Sequence, residues 1–283
     1  MSSIYRAGLP HIHRLRLLIQ TGRHSFSDFG SEDLASLLTD GVVMAGEDMG
    51  EIWGAVIFRR NGPERARLCG AWLADGRSPI IDIPRLLAGA TPWLRDAVPV
   101  HLVAYASRKW LGEPLRAAGF ILADRLVFLA LEKLQQRTLE PLPHLPHVRL
   151  RPARTDDQVA LAELDAAAFA PDWRMREQEL TMLLLTARVA LAERGDELVG
   201  YTALTPHADR VAHLARLAVK SDARRMGLGR LLLADVLHAA QRDLIATLLL
   251  NTQSSNQAAY SLYRNAGFRP TGKVVPVFTK LLL

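Results

Sequence analysis

A single cysteine, few aromatics and no long apolar run rule out several classes of protein. Cys69 on its own cannot close an internal disulfide, so this is not a disulfide-stapled secreted domain. Set in an apolar stretch, it reads as a small core residue rather than a nucleophile. No stretch approaches the ~18 apolar residues that a membrane-spanning helix needs, and no membrane partner is expected. Residues 1–20 carry Arg6, Arg14 and Arg16 among scattered apolar residues, in place of the apolar core of a secretory leader, so a cytoplasmic location is expected. Metal-ligand clusters are absent too. His144 and His147 have no carboxylate or thiol beside them and read as exposed histidines, and no metal is expected. Neither common nucleotide loop occurs: there is no Gly-x-x-x-x-Gly-Lys-Ser/Thr, and Leu232 stands where Gly-x-Gly-x-x-Gly needs its third glycine.

What remains is 283 residues, 49% hydrophobic and 23% charged, the balance of a globular chain long enough for two ordinary domains. The net charge of +6 is spread along the chain with acids interleaved, without a basic run or an aromatic–basic stacking pattern, so no nucleic-acid partner is expected.

The most informative stretch runs from Leu217-Ala218-Val219 through Arg224-Arg225-Met226-Gly227-Leu228-Gly229-Arg230. It reads as the end of an apolar strand, a basic glycine-containing turn, and a helix whose apolar face is Leu228, Leu231, Leu232, Val236, Leu237, Ala240 and Leu244. The first turn of a helix offers unpaired N–H groups at the positive end of its dipole. Gly227 and Gly229 let a ligand approach the backbone, and Arg224, Arg225 and Arg230 add charge, so a phosphate or pyrophosphate fits there.

This loop resembles the acetyl-coenzyme A loop of the GNAT-type N-acetyltransferases, Gln/Arg-x-x-Gly-x-Gly/Ala, as Arg224-x-x-Gly227-x-Gly229. A second motif follows an apolar strand at 246–251. Asn256-Gln-Ala-Ala-Tyr-Ser-Leu-Tyr263-Arg-Asn-Ala-Gly267-Phe268 matches the family's Asn-x-x-Ala-x-x-Leu-Tyr-x-x-x-Gly-Phe at every specified position. The order from Val148 onward (strand, two helices, three strands, helix, strand, helix, closing strand) is the one this family uses, with helices expected to Ala168 and over 172–186.

An internal repeat is legible as well. Gly119-Phe120 echoes Gly267-Phe268 at a spacing of 148 residues, which also sets the apolar strand at 98–104 against the one at 246–252 and Pro84–Ala97 against the long helix. The fold class expected is therefore α/β (α+β): two tandem GNAT-like domains, each a mixed, mostly antiparallel twisted sheet flanked by helices. The expected division is 1–137, a degenerate copy without catalytic function; 138–147, an extended linker set by Pro141, Pro143 and Pro146; and 148–283, the acetyltransferase domain. In the first copy Pro79 and Ile81 stand opposite Gly227 and Gly229, Asp82 opposite Arg230, and Leu115 opposite Tyr263.

The resemblance implies acetyl-coenzyme A as cosubstrate, a primary amine as acceptor, and direct attack of the amine on the thioester. It implies that the loop from Arg224 to Arg230 holds the pyrophosphate, that backbone N–H groups of Leu217, Ala218 and Val219 hold the pantetheine and acetyl groups, that Asn256 touches the pantetheine arm, and that Tyr263 protonates the departing thiolate. The base stays open. The branch that acetylates a ribosomal protein's amino terminus carries a glutamate twelve residues before the tyrosine, where this chain has Asn251, although Phe169-x-x-Asp172-Trp173 resembles that branch. His213 is one candidate base; Asp172, Trp173 and Glu177 are candidate acceptor-site residues, the carboxylates able to bind a cationic amine or deprotonate it through water. A monomer or homodimer is expected, and a non-enzymatic coenzyme A-binding regulator is the alternative.

Overall fold

The computed structural model describes residues 3–29 and 33–283, except the side chain of Asp172. The chain forms two compact units, residues 1–125 with 274–283, and residues 126–273. No helix among the described residues is long and apolar enough to cross a membrane.

The first unit begins β1 (Ser3–Arg6), α1 (Ile12–Thr21), β2 (His24–Ser27), α2 (Leu34–Asp40), β3 (Val42–Asp48), β4 (Glu51–Arg60) and β5 (Arg65–Leu73). It continues through α3 (Pro79–Leu94), β6 (Val100–Tyr105) and α4 (Gly112–Ala117). Its main strands run β1-β3-β4-β5-β6, all antiparallel except the β5/β6 pair. Both faces are covered, which is why Val42–Ala45 and Ile52–Phe58 are continuous apolar runs rather than alternations. Val43, Ala45, Ile57 and Trp72 pack with Leu15, Leu18 and Leu37 of α1 and α2, while Met44, Val56 and Phe58 pack with Leu86, Leu87 and Ala90 of α3. Cys69 is fully buried and donates to the Arg67 carbonyl, as a core thiol would.

The second unit takes its first strand from the end of β7 (Ile121–Leu131), and then follows β8 (Val148–Pro152), α5 (Gln158–Ala168), α6 (Glu177–Thr186), β9 (Arg188–Arg194), β10 (Glu197–Pro206) and β11 (Val211–Val219). It ends with α7 (Leu228–Arg242), β12 (Thr247–Gln253), α8 (Gln257–Asn265) and the start of β13 (Arg269–Leu282). The sheet order is β7-β12-β11-β10-β9-β8, with only β11/β12 parallel. Leu161, Leu164, Leu180 and Leu183 of α5 and α6 cover one face over Leu191, Tyr201 and Ala203; Leu233, Val236 and Leu237 of α7 cover the other over Leu204, Leu214 and Leu250.

Two expectations need correction. The units do not divide at the proline-rich segment. Leu126 to Leu131 pair antiparallel with Gln253 to Leu248 in the second unit, and Val277 to Leu282 pair with Tyr105 to Val100 in the first. Each sheet is thus completed by a strand from the other half of the sequence, a long-range pairing that local patterns do not carry. Residues 138–147 are irregular, but they lie along α7 within the second unit. His238 Nε2 is 2.8 Å from the Glu140 carbonyl, and Gln241 donates to the Leu134 and Arg137 carbonyls at 3.0 and 2.9 Å.

The helix expected over 172–186 is also shorter than read. Pro171–Trp173 form a single 3-10 turn, and α6 starts only at Glu177. The break is held from outside: Met175 N–H donates to Asp165, and Arg176 N–H to Glu179, which caps α6.

Candidate active site

In the second unit, β11 and β12 are in register only from Val211–Thr247 to His213–Leu249. Beyond that point they separate. Among the described residues, β11 from Leu214 to Val219 is paired with β10 alone, with one bulge at Ala215, where the register to β10 slips between Ala203 and Leu204. A V-shaped opening between two strands of one sheet leaves backbone donors and acceptors facing the gap, and Leu217, Ala218 and Val219 lie on its edge.

At the top of this gap β11 runs into the glycine loop. Arg225 and Gly227 take left-handed backbone conformations, with φ of 63° and 86°. Among the described residues, the N–H groups of Arg225, Met226, Gly227, Leu228, Gly229 and Arg230 make no backbone hydrogen bond, because α7 begins at Leu228 and its first inward bond comes from Leu231 to the Gly227 carbonyl. Free N–H donors at and just before a helix N-terminus are able to bind an anion. A Cβ at Gly229 would come within 3.3 Å of the Leu262 side chain on α8, a tight contact. Arg225 and Arg230 project from the loop exposed to solvent. Arg224 is committed elsewhere: its guanidinium donates to the Val219 carbonyl at 3.2 Å and the Ala168 carbonyl at 2.6 Å, tying the loop to the end of α5.

Tyr263 lies on α8 and is 6% exposed, packed in the same cluster as Leu217, Leu233 and Leu250 and edge-on to Phe268 at 5.9 Å. Burial pushes its pKa up to about 12, because the phenolate is the form that desolvation disfavours. It therefore stays protonated at neutral pH. His213, at the fork, is hydrogen-bonded through Nε2 to Asn251 Oδ1 at 3.2 Å, with the His207 ring 6.5 Å away. An amide oxygen can only accept, so Nε2 carries the proton and Nδ1 holds the lone pair. Burial lowers the His213 pKa below the ordinary histidine value, the Asn251 bond opposing it and His207 adding to it. Asn251, at the position of the expected glutamate, thus fixes a histidine tautomer.

Asn256 is exposed and caps α8, accepting from the Ala259 N–H at 3.1 Å. The side chain of Asp172 lies outside the described residues. Trp173 lends its carbonyl to Arg216, and Glu177 accepts from Gln158 at 3.2 Å on an exposed helix start.

One cluster was not singled out from the sequence. Asp165 on α5, 1% exposed, accepts from Tyr201 OH at 2.6 Å, from Met175 N–H at 2.9 Å, and from Arg216 Nε at 2.9 Å. Arg216, next to the bulge on β11, also donates a second bond to Asp165 and stacks 3.7 Å above Phe169. The two residues are 51 positions apart, and no local pattern joins them.

Residues 158–268 match the acetyltransferase (GNAT) family. The second unit is a GNAT domain. Among curated proteins, 57 residues are 42% identical to the ribosomal protein bS18-alanine N-acetyltransferase of Escherichia coli strain K12, covering 20% of this chain and 38% of that protein. An alignment of 88 residues is 33% identical to N-acetyltransferase 8F1 of Rattus norvegicus, covering 29% of this chain and 40% of the relative. The chain thus spans about two fifths of the curated relatives it matches. Two solved structures extend the likeness of fold to both units. A GCN5-related N-acetyltransferase from Sphaerobacter thermophilus has a TM-score of 0.65 at 17% identity, covering 99% of this chain and 95% of that one. A tandem GNAT protein from the clavulanic acid biosynthesis pathway has 0.61 at 16%, covering 99% and 98%. The α/β fold is a tandem GNAT-like one, with a mixed, mostly antiparallel sheet and flanking helices in each unit.

Proposed function

We propose that the second unit transfers an acetyl group from acetyl-coenzyme A to a primary amine by direct attack, and that the first unit is non-catalytic. The observation that carries this reading is a β11 edge left without a strand on its β12 side past His213, leading into the free N–H groups of the 225–230 loop, in the unit that also holds the buried, protonated Tyr263. The loop amides take the pyrophosphate, with Arg225 and Arg230 adding charge. The β11 edge takes the pantetheine arm, and its free N–H groups polarise the thioester carbonyl as negative charge develops on oxygen.

The neutral amine attacks the carbonyl carbon. A C–N bond forms, the C–S bond breaks, the amine's surplus proton goes to His213 Nδ1 through water, and the Tyr263 proton goes to the thiolate. With Tyr263 near 12 and an ordinary thiol near ~8.5, the proton cannot move ahead of the bond; it moves as C–S cleavage builds charge on sulfur. Asp172 and Glu177 are proposed to face the cationic amine before it is deprotonated.

The deciding experiment is calorimetric titration with acetyl-coenzyme A, followed by a thiol-release assay against amines, amino acids and peptide amino termini. Binding with turnover on any acceptor supports the enzyme. Binding without turnover across the panel favours a coenzyme A-binding regulator, for which the replacement of a carboxylate by Asn251 is the supporting feature. No binding overturns both.

His213 supplies a pH test. Its folded pKa is lowered, so it remains an unprotonated base down to below the ordinary histidine value, and the acidic fall in turnover from this group should lie below pH ~6.5. His213→Gln is expected to remove that limb and lower turnover about a hundredfold at neutral pH. An unchanged profile would assign deprotonation to another group.

A further inference from the structure

The two units offer the same strand in two states. In each, the strand before the long helix carries one bulge: Cys69 on β5, between the Ile57–Gly70 and Phe58–Leu68 pairs, and Ala215 on β11, between Ala203–Arg216 and Leu204–Leu214. Gly70 therefore corresponds to Arg216. In each, a parallel partner runs alongside only as far as the bulge, Arg65 to Leu68 with His101 to Ala104, and Val211 to His213 with Thr247 to Leu249.

Past the bulge the units differ. On β11 no strand among the described residues follows on that side. On β5 the pairing goes on without a gap: Asp28 N–H donates to the Cys69 carbonyl at 2.7 Å, and Gly70, Ala71, Trp72 and Leu73 pair with Ser27, Phe26, Ser25 and His24 of β2. Phe26 is 1% exposed, so β2 is packed into the core as well as paired. β2 comes from the connection between α1 and α2. The equivalent connection in the second unit, between α5 and α6, is the 169–176 segment with its 3-10 turn.

The residue that differs explains the difference. Arg216 and Asp165 hold the 169–175 segment by the Trp173 carbonyl, the Met175 N–H and the Phe169 ring, so it cannot lie flat along β11. Gly70 has no side chain with which to hold anything, and a Cβ there would fall 1.9 Å from the Trp72 ring.

We propose that β2 is an internal surrogate for an acyl-pantetheine arm, closing the first unit to coenzyme A, and that Arg216 with Asp165 is the positioning pair that keeps the second unit open. This rests on the reading that the β11 edge receives acetyl-coenzyme A. Mass-spectrometric hydrogen exchange on the full chain, with and without acetyl-coenzyme A, tests it together with the calorimetric stoichiometry. One equivalent should bind. Residues 69–73 should exchange slowly in the free protein and not change on binding, whereas 214–219 should exchange fast and gain protection.

In Arg216→Gly the 169–175 segment is released to pair with β11. Affinity for acetyl-coenzyme A should fall at least about tenfold, from the loss of charged hydrogen bonds that hold the cleft. Exchange at 214–219 without ligand should become slower than in the wild type, where loosening of the fold would make it faster. If Arg216→Gly fails to fold, Asp165→Asn keeps the size of the side chain and should move both readouts the same way. A second equivalent, ligand-induced protection at 69–73, or unchanged affinity with unchanged or faster exchange at 214–219 would overturn the proposal. Should the wild type bind no acetyl-coenzyme A, the functional reading fails, while fast exchange at 69–73 in the free protein would refute the closed strand separately.

Discussion

Replacing Gly227 by aspartate is expected to abolish acetyl-coenzyme A binding, by about a hundredfold or more in affinity, while the protein stays folded. Two effects act on the fold in opposite directions. A non-glycine residue at φ 86° costs about 1–2 kcal/mol, and the new Cβ lies 3.3 Å from Leu145. Against that, Gly227 is the residue immediately before α7, where an aspartate carboxylate sits at the positive end of the helix beside the free N–H groups of the first turn and offsets part of that cost. That second effect is what removes the ligand. The carboxylate takes the donors that would hold the pyrophosphate and sets a negative charge against it, so binding loses at least two charge-assisted hydrogen bonds of about 1.5–3 kcal/mol each. Gly227→Ala separates strain from charge, with a fall of about tenfold or less expected from strain alone. Calorimetry with a thermal melt on each variant measures both. If Gly227→Asp keeps wild-type affinity with an unchanged melt, the 225–230 loop is not the anion site.

The features of the site legible in the sequence are those written over short distances. The strand, the two glycines and the apolar face of α7 fall within one run of residues, so periodicity and turn chemistry found them together. The repeat was legible for the same reason, and α3 and α7, β6 and β12 stand near the predicted spacing. Asn256 shows the limit of a matched position: its side chain caps α8, a role that the same Asn-x-x-Ala spacing also signals. Arg224 shows another, since a basic residue in a phosphate loop here spends its charge on the carbonyls of Val219 and Ala168. Strand exchange was hidden because β7 and β12 are separated by more than a hundred residues, and a strand's pattern says which face is buried but not which partner it pairs with. The Asp165–Tyr201–Arg216 cluster was hidden because its three residues lie on three different elements and come together only when the sheet folds.

That cluster also bears on why a buried charge is tolerated beside the cleft. Asp165 loses its water almost completely, and four hydrogen bonds, from two strands and the α5–α6 connection, replace it. Tyr201 is held in its protonated form chiefly by burial, with the Asp165 charge acting in the same direction and Arg216 opposing. The phenol therefore remains a donor to Asp165 and does not compete for protons in the reaction.

Tyr263, the other buried phenol on this unit, is the group whose removal should cost most in turnover. Tyr263→Phe deletes one oxygen from a side chain that is otherwise packed among Leu217, Leu233 and Leu250, so its ring contacts and the fold should survive. In the folded protein the hydroxyl has no charged neighbour that stabilises its phenolate, and burial alone accounts for the rise to about 12. Transfer from such a phenol to a finished thiolate is uphill, so the proton is given up in step with C–S cleavage, driven by collapse of the tetrahedral intermediate. Without it the thiolate must leave unprotonated. Turnover is expected to fall by about 10²–10⁴, the range for a lost general acid, with acetyl-coenzyme A affinity within about threefold of wild type because the loop and the β11 edge are untouched. The split is the diagnostic: kcat falls and binding does not. An acyl donor with a better leaving group, such as a thioester of an aromatic thiol, should recover part of the loss in the variant and gain little in the wild type. Equal turnover in the two proteins would show that water, rather than Tyr263, protonates the thiolate.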